Sequence, residues 1–306
     1  MECLKTFYIL PSFVTRFNPN RPFGVASHDA GGANQLAAMF RHFKWKAQRV
    51  FLSGPAEEIL SSQCDKFEKY TPSTQINELT SIVTSTSWDS DDEFLLRRLA
   101  RDSGVYTIAL LDHWVNYRER FEREGHSVPP DEIWVVDRYA HKIAKEVFNE
   151  VPIVLIGDYY SEEILGRISP IGEDTPNNLL YLLEPIRSDW GRTEPGEFQS
   201  LRFFNESIHK LGLPKDTQIK LKPHPSEDPN KYLGFVGTAN GFPVSLTRET
   251  LERALSSARW VAGCQTFALT LALRAGREVF GTLPPWAPSC ALPHLGIIHL
   301  RDRHLI

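Results

Sequence analysis

From Phe23 onward the chain alternates short apolar runs with amphipathic stretches. FGVASHD (Phe23 to Asp29) reads as a buried strand that breaks into AGGAN, with a helix from about Gln35 to His42. RVFLSG (Arg49 to Gly54) is a second strand, followed by helix from Ala56 into the 60s. SIVTST (Ser81 to Thr86) is a third. The segment Asp89 to Ser103 has acids Asp89, Asp91, Asp92 and Glu93 early and Arg97, Arg98 and Arg101 late. That order complements a helix dipole. VYTIALLD (Val105 to Asp112) is continuously apolar, as strands are when both sheet faces are covered. EIWVVD (Glu132 to Asp137), a helix to about Asn149 and PIVLIGD (Pro152 to Asp158) follow. Repeated β-then-α order predicts a parallel sheet with helices on both faces.

The pattern lapses between Tyr159 and Asn178, where SPIGEDTPNN has the composition of a linker. It then restarts. NLLYLLEP (Asn178 to Pro185), QIKLKPHP (Gln218 to Pro225), PVSL (Pro243 to Leu246), RWVAG (Arg259 to Gly263), EVFGTL (Glu278 to Leu283) and GIIHL (Gly296 to Leu300) read as strands. Helices are expected at Pro195 to Leu211, after a Thr247 cap along Leu251, Ala254, Leu255 and Ala258, and from Thr266 to Arg274 with Gly276 as its stop. The fold class is therefore α/β, with two Rossmann-like domains at 1–165 and 166–306 facing a central cleft. Ligands of open α/β sheets bind beyond the carboxyl ends of the strands, so candidate chemistry belongs there.

Composition fits an ordinary folded chain: 306 residues, 42% hydrophobic and 24% charged. A net charge of −4 gives no support to bulk binding of nucleic acid. The cysteines, Cys3, Cys64, Cys264 and Cys290, form no CxxC pair and suit free thiols in a reducing cytoplasm. No apolar run reaches the roughly 18–20 residues of a membrane span. The apolar stretch Thr6 to Val14 is interrupted by Pro11 and reads as a loose arm rather than a secretion signal. The 21 prolines fall partly at edges, including Pro170 and Pro176 in the linker and Pro223 and Pro225 around His224.

Four segments place chemistry after strands. In SHDAGGAN, Gly31 and Gly32 permit close backbone approach and Asp29 is a candidate base; a plain βα turn capped by Asp29 or Asn34 is the alternative. This is neither GxGxxG nor a Walker A loop. In LLDHWVNYRERF, Asp112 is a rival base. His113, Trp114, Asn116, Tyr117, Arg118 and Arg120 offer either a binding wall for a sugar, base or anion, or an ordinary surface loop. In KPHPSEDP, His224 is held between two prolines near Lys222 and Ser226, suited to a phosphate ligand. In GCQTFALTLALRAG, Gln265 and Thr266 open a helix whose start offers N–H groups to an anion, or is simply capped. No DxD motif lies at a strand end, because DSDD (Asp89 to Asp92) fits a helix start.

The KPHP run, the Gly263-to-Thr266 helix start and ALRAGREVFGTLP resemble GT-B glycosyltransferases. Within that fold the His-Pro pair resembles bacterial sialyltransferases, polysialyltransferases and Kdo transferases, and also the glycerophosphotransferases of teichoic acid synthesis. UDP-N-acetylglucosamine 2-epimerases share the fold. The resemblance implies transfer of a sugar, such as a CMP-activated ulosonic acid, from a nucleotide donor to a hydroxyl acceptor. It implies inversion without a metal or other cofactor. The acceptor would be a glycan, glycolipid or glycosylated protein, with peripheral membrane association and a cytoplasmic location. Asp29 would deprotonate the acceptor; His224, Lys222 and the Thr266 segment would stabilise the leaving phosphate; Arg118 or Arg120 would pair with a donor carboxylate. The usual acid-acid-Gly motif is replaced by HDAGG, and Gln265-Thr266 stand where many relatives have Ser or Glu. An epimerase-like reaction on a UDP-sugar and a nucleotide-binding scaffold without turnover are the rivals.

Overall fold

The computed structural model describes residues 15–303 except 88, 89 and 187. The N-terminal arm, Cys3 and Asp89 lie outside the described residues. The chain divides into two compact units, Met1–Glu162 and Glu163–Ile306.

The first unit contains, in chain order, β1 (Phe23–Ser27), α1 (Ala30–Phe43), β2 (Arg49–Leu52), α2 (Ala56–Leu60), β3 (Ser81–Thr84), α3 (Asp92–Asp102), β4 (Tyr106–Leu111), β5 (Glu122–Arg123), β6 (His126–Ser127), β7 (Glu132–Val135), α4 (Arg138–Val147) and β8 (Ile153–Leu155). The boundary between the units falls within α5 (Tyr159–Leu165). Six strands form a parallel sheet in the order β2-β1-β3-β4-β7-β8. This order reverses between β1 and β3, the switch point at which such sheets take their ligands. Val25, Ile82, Ile108 and Leu110 are fully buried, as the apolar runs require.

Three sequence expectations change here. α1 begins at Ala30, five residues before the expected Gln35, and takes Gly31 and Gly32 into its first turn. Glycine reads as a helix breaker, but Gly32 packs so close to β3's end that a Cβ would lie 2.3 Å from Ser85 Cβ. The hairpin β5–β6 was hidden because its turn uses Glu124 and Gly125, both at positive φ, a two-residue arrangement that suits tight hairpins. α5 was hidden by the lapsed pattern; the Asp158 carboxylate accepts from Ser161 N–H at 3.0 Å at its start.

The second unit contains β9 (Asn178–Leu182), α6 (Gly196–Ser207), β10 (Gln218–Lys222), β11 (Gly237–Ala239), β12 (Phe242–Leu246), α7 (Leu251–Ser256), β13 (Trp260–Gly263), α8 (Ala268–Arg274), β14 (Glu278–Gly281) and β15 (Ile297–His299). Its sheet runs β11-β12-β10-β9-β13-β14-β15, parallel except for the β11–β12 edge. Without β11 this is the Rossmann order, with its switch point between β9 and β13. α7 is capped by Thr250, whose hydroxyl accepts from Arg253 N–H, not by Thr247. Thr247 instead turns the loop, accepting from Glu249 N–H at 3.3 Å.

Arg97 departs furthest from expectation. Its place late in α3 suits the helix dipole, yet the side chain is fully buried. It donates to Thr84 Oγ1 at 3.0 Å and to the Arg120 carbonyl at 3.1 Å, and lies over the Phe121 ring. Burial lowers its pKa to about 10, opposed by the Glu93 carboxylate one turn earlier. Removing the guanidinium would leave the buried Glu93 carboxylate without its compensating charge, and Thr84 Oγ1 and the Arg120 carbonyl without a donor. Arg97→Leu is therefore expected to destabilise the protein by about 3–5 kcal/mol in urea unfolding; a loss below about 1 kcal/mol would show that the guanidinium is structurally dispensable.

Candidate functional site

Register organises the carboxyl edge of the first sheet. Ala26 pairs with Thr84 and Thr84 with Ala109. Three residues further along the chain from each of these, beyond the strand ends, stand Asp29, Ser87 and Asp112. Asp29 occupies the N-cap position of α1, but its carboxylate makes no capping bond. It accepts instead from Ser87 Oγ at 2.9 Å. Asp112 comes so close to Gly31 that a Cβ there would lie 2.1 Å from its Oδ2. The two candidate bases thus belong to one edge, with Gly31 leaving room for Asp112.

A third carboxylate holds this edge in shape. Glu93, on the first turn of α3, is almost fully buried. It accepts from His28 N–H at 3.0 Å, from Ser85 Oγ and from Ser87 N–H. Desolvation raises its pKa, against these hydrogen bonds. His28 reaches the other way, its Nδ1 lying 2.9 Å from Ser53 Oγ.

The loop after β4 separates into parts. Arg120 faces Asp112 at 3.5 Å and donates to the Thr86 carbonyl at 2.6 Å. Trp114 is buried and donates to Asp137 at 3.0 Å, so it packs rather than walls a ligand. Arg118 donates to the Val147 carbonyl at the end of α4, away from Asp112. Asn34 turns back onto its own helix, donating to the Ala30 carbonyl at 2.8 Å. His113 and Tyr117 carry buried polar atoms, Nδ1 and Oη, without hydrogen-bond partners among the described residues. Desolvation lowers the His113 pKa and raises that of Tyr117.

The second sheet repeats the arrangement. Leu182 pairs with Lys222 on one side and Gly263 on the other. Two residues beyond these stand Glu184, His224 and Gln265. His224 Nδ1 accepts from Ser226 N–H at 3.2 Å, with Ser226 Oγ at 2.8 Å. A ring nitrogen that accepts an N–H bond is unprotonated, so the proton of the neutral ring sits on Nε2, pointing away from the Ser226 turn. Desolvation lowers this imidazole's pKa. Lys222 is half-buried and donates to the Glu249 carbonyl; burial lowers its pKa. The expected helix start at Thr266 moves to Ala268. The Gln265 and Thr266 amides are already taken by the Glu184 carboxylate, the former at 3.0 Å. Gln265 Oε1 accepts from Ala291 N–H at 3.1 Å.

No family model matches the chain, and no curated protein matches its sequence. Solved structures do match. The UDP-N-acetylglucosamine 2-epimerase of Neisseria meningitidis, bound to UDP-N-acetylglucosamine, aligns over 89% of this chain and 84% of its own. The TM-score is 0.56 at 10% identity. The corresponding epimerase of Methanocaldococcus jannaschii covers 85% and 83%, with a TM-score of 0.55 and 10% identity. MurG of Acinetobacter baumannii covers 86% and 79%, with a TM-score of 0.52 and 11% identity. The chain has a GT-B-type fold. None of these three is a sialyltransferase or Kdo transferase; they share with the motif-based expectation the GT-B-type pair of Rossmann-like units.

Among the described residues no group of three or more His, Cys, Asp or Glu is placed to hold a metal ion. No described helix is long and apolar enough to cross a membrane. Glu93, Arg97 and Glu184 were missed by sequence reasoning, though Glu184 carried a signal: it is the first polar residue after the apolar run of β9. The His224 geometry has a direct check. Nitrogen NMR at neutral pH is expected to show an unprotonated Nδ1, a protonated Nε2 and a titration midpoint below the ordinary 6.5. The opposite tautomer would remove the Ser226 amide bond from the description.

Proposed function

We propose that this protein is an enzyme acting on a UDP-activated sugar, inverting a ring stereocentre as the epimerases that share its fold do by name. The observation that carries this reading is that Asp29 and Asp112 both follow strands at one sheet edge, Asp29 bonded to Ser87 and Asp112 packed against Gly31, two residues after Asp29. Inverting a ring carbon takes one group to remove a proton and another to return it, and two carboxylates on one edge supply both. Each has its own environment: Asp29 a serine hydroxyl, Asp112 an arginine. On the second unit, His224 directs Nε2 outward and suits the nucleotide's phosphates.

Transfer to a hydroxyl acceptor is the second reading, favoured by the likeness to MurG and by Asp29 alone serving as base. A glycan or lipid acceptor, peripheral membrane association and a cytoplasmic location go with that reading. A CMP-activated ulosonic donor fits less well. Of the arginines that would meet its carboxylate, Arg118 is turned to the end of α4 and Arg120 already faces Asp112.

Incubation with UDP-N-acetylglucosamine and other UDP-sugars in deuterated water, followed by proton NMR, decides between the two. Epimerisation predicts a changed sugar and deuterium on its ring with no acceptor present. Asp29→Asn and Asp112→Asn are each expected to slow this by about 100-fold or more, and Gly31→Ala to impair it by displacing Asp112. Turnover that appears only when an acceptor is added would replace this reading with transfer.

A further inference from the structure

Glu184 is a half-buried titratable group that neither reading uses. It follows β9 at the switch point of the second sheet, where pairing extends past the strand through Leu183 N–H to the Lys222 carbonyl at 3.0 Å. Its carboxylate accepts from the amides of Gln265 and Thr266. These amides belong to the loop leaving β13. α8 starts only at Ala268 and is seven residues long, so the loop amides, not a helix end, hold the carboxylate.

Among the described residues, no cation is a principal influence on Glu184. Beneath it lies a buried neutral network. Tyr181 Oη and Thr282 Oγ1 are 2.9 Å apart, Ser200 Oγ donates to the Thr282 carbonyl at 2.7 Å, and Cys264 Sγ donates to Ser200 Oγ at 2.9 Å. The titratable groups facing it are Tyr181 of β9, Tyr232 of the 229–235 turn, Cys264 after β13 and Cys290 after β14. Tyr232 leads to a second cluster, where Lys231 is shared by Glu227 and Glu197. Glu197 is only 5% exposed, and its Oε2 is buried without a hydrogen-bond partner. Arg301 acts on the Cys290 side of this neighbourhood, where it opposes the effect of Glu184 on that thiol. Burial raises the Glu184 pKa to about 7, opposed by its two amide bonds.

We propose that Glu184 is a specificity-determining latch: its carboxylate sits on the Gln265 and Thr266 amides in place of a ligand's anionic group, and a diphosphate binds there by displacing it with uptake of a proton. This rests on the reading that the edge takes a nucleotide. An unprotonated Glu184 competes with the ligand for the two amides and repels it; a protonated one does neither. Affinity is then greatest below the free-state pKa of Glu184 and falls as pH rises through it.

Titration calorimetry on the full chain with UDP, and separately with inorganic pyrophosphate, tests this at pH 6, 7 and 8. Comparing wild type with Glu184→Gln cancels the ligand's own titration. The ratio of wild-type Kd to variant Kd is expected to rise about tenfold from pH 6 to pH 8, as uptake of one proton near pH 7 requires. Glu184→Asp, one methylene shorter and unable to hold both amides, is expected to bind more tightly than wild type at pH 8; it serves if Glu184→Gln does not fold. A ratio independent of pH, or weaker binding by both variants at pH 8, overturns the latch. If UDP binds with a constant ratio, the latch falls and the nucleotide reading stands. If only pyrophosphate binds and shows the rise, the latch stands and the nucleotide reading falls. If neither ligand binds any of the proteins, both fall.

Discussion

Parallel strands cannot be joined by tight hairpins, so every strand of such a sheet leaves at the same edge through a crossover. Register then decides which residues of different crossovers stand level. In the first unit, the pairing of Ala26, Thr84 and Ala109 brings the segments that carry Asp29, Ser87 and Asp112 out at one edge. α3 adds the fastening. Glu93 binds the loops after β1 and β3, and Arg97 binds β3 and the carbonyl of Arg120. Arg120 in turn faces Asp112. One helix thus secures the ends of three neighbouring strands.

The second edge uses the same geometry with different electrostatics. Asp29 and Asp112 meet a hydroxyl and a guanidinium, whereas Glu184 meets two backbone amides above a neutral floor. Backbone amides hold a carboxylate without supplying net charge, so burial still penalises its ionised form. The two edges therefore differ in kind: carboxylates beside a hydroxyl and a guanidinium at the first, a carboxylate on backbone amides at the second.

Much of the fold was legible because parallel strands covered on both faces read as apolar runs. β4 and β9 stand out for this reason, and the α/β class follows from the alternation. Strand order was not legible, since it depends on contacts between distant segments. Local chemistry also misled. Gly31 and Gly32 read as a break but open α1, because the helix must pass close to Ser85. Asp29, Asp112 and His224 were found by asking which polar residues follow strands. Glu93 and Arg97 were not, because a charged pair four apart on an amphipathic helix reads as solvated. Only the crossing of α3 over the ends of β1 and β3 buries them. Arg118 and Arg120 were indistinguishable in sequence; the 3₁₀ turn at Glu119–Phe121 turns one toward α4 and the other toward Asp112.

The unsatisfied groups beside Asp112 bear on where the first edge does its work. A buried polar atom left without a partner disfavours folding by about 1–3 kcal/mol, and stable proteins keep few of them. His113 Nδ1 and Tyr117 Oη are two such atoms within one loop, and both residues feel the Asp112 charge. A purely structural loop would gain by replacing them with apolar side chains of similar shape. Departures from local consistency of this kind concentrate where a protein serves function at the expense of stability. Two unpartnered polar atoms in the loop that carries a candidate base therefore set the Asp112 side apart from the Asp29 side, where Ser87 supplies a hydroxyl partner.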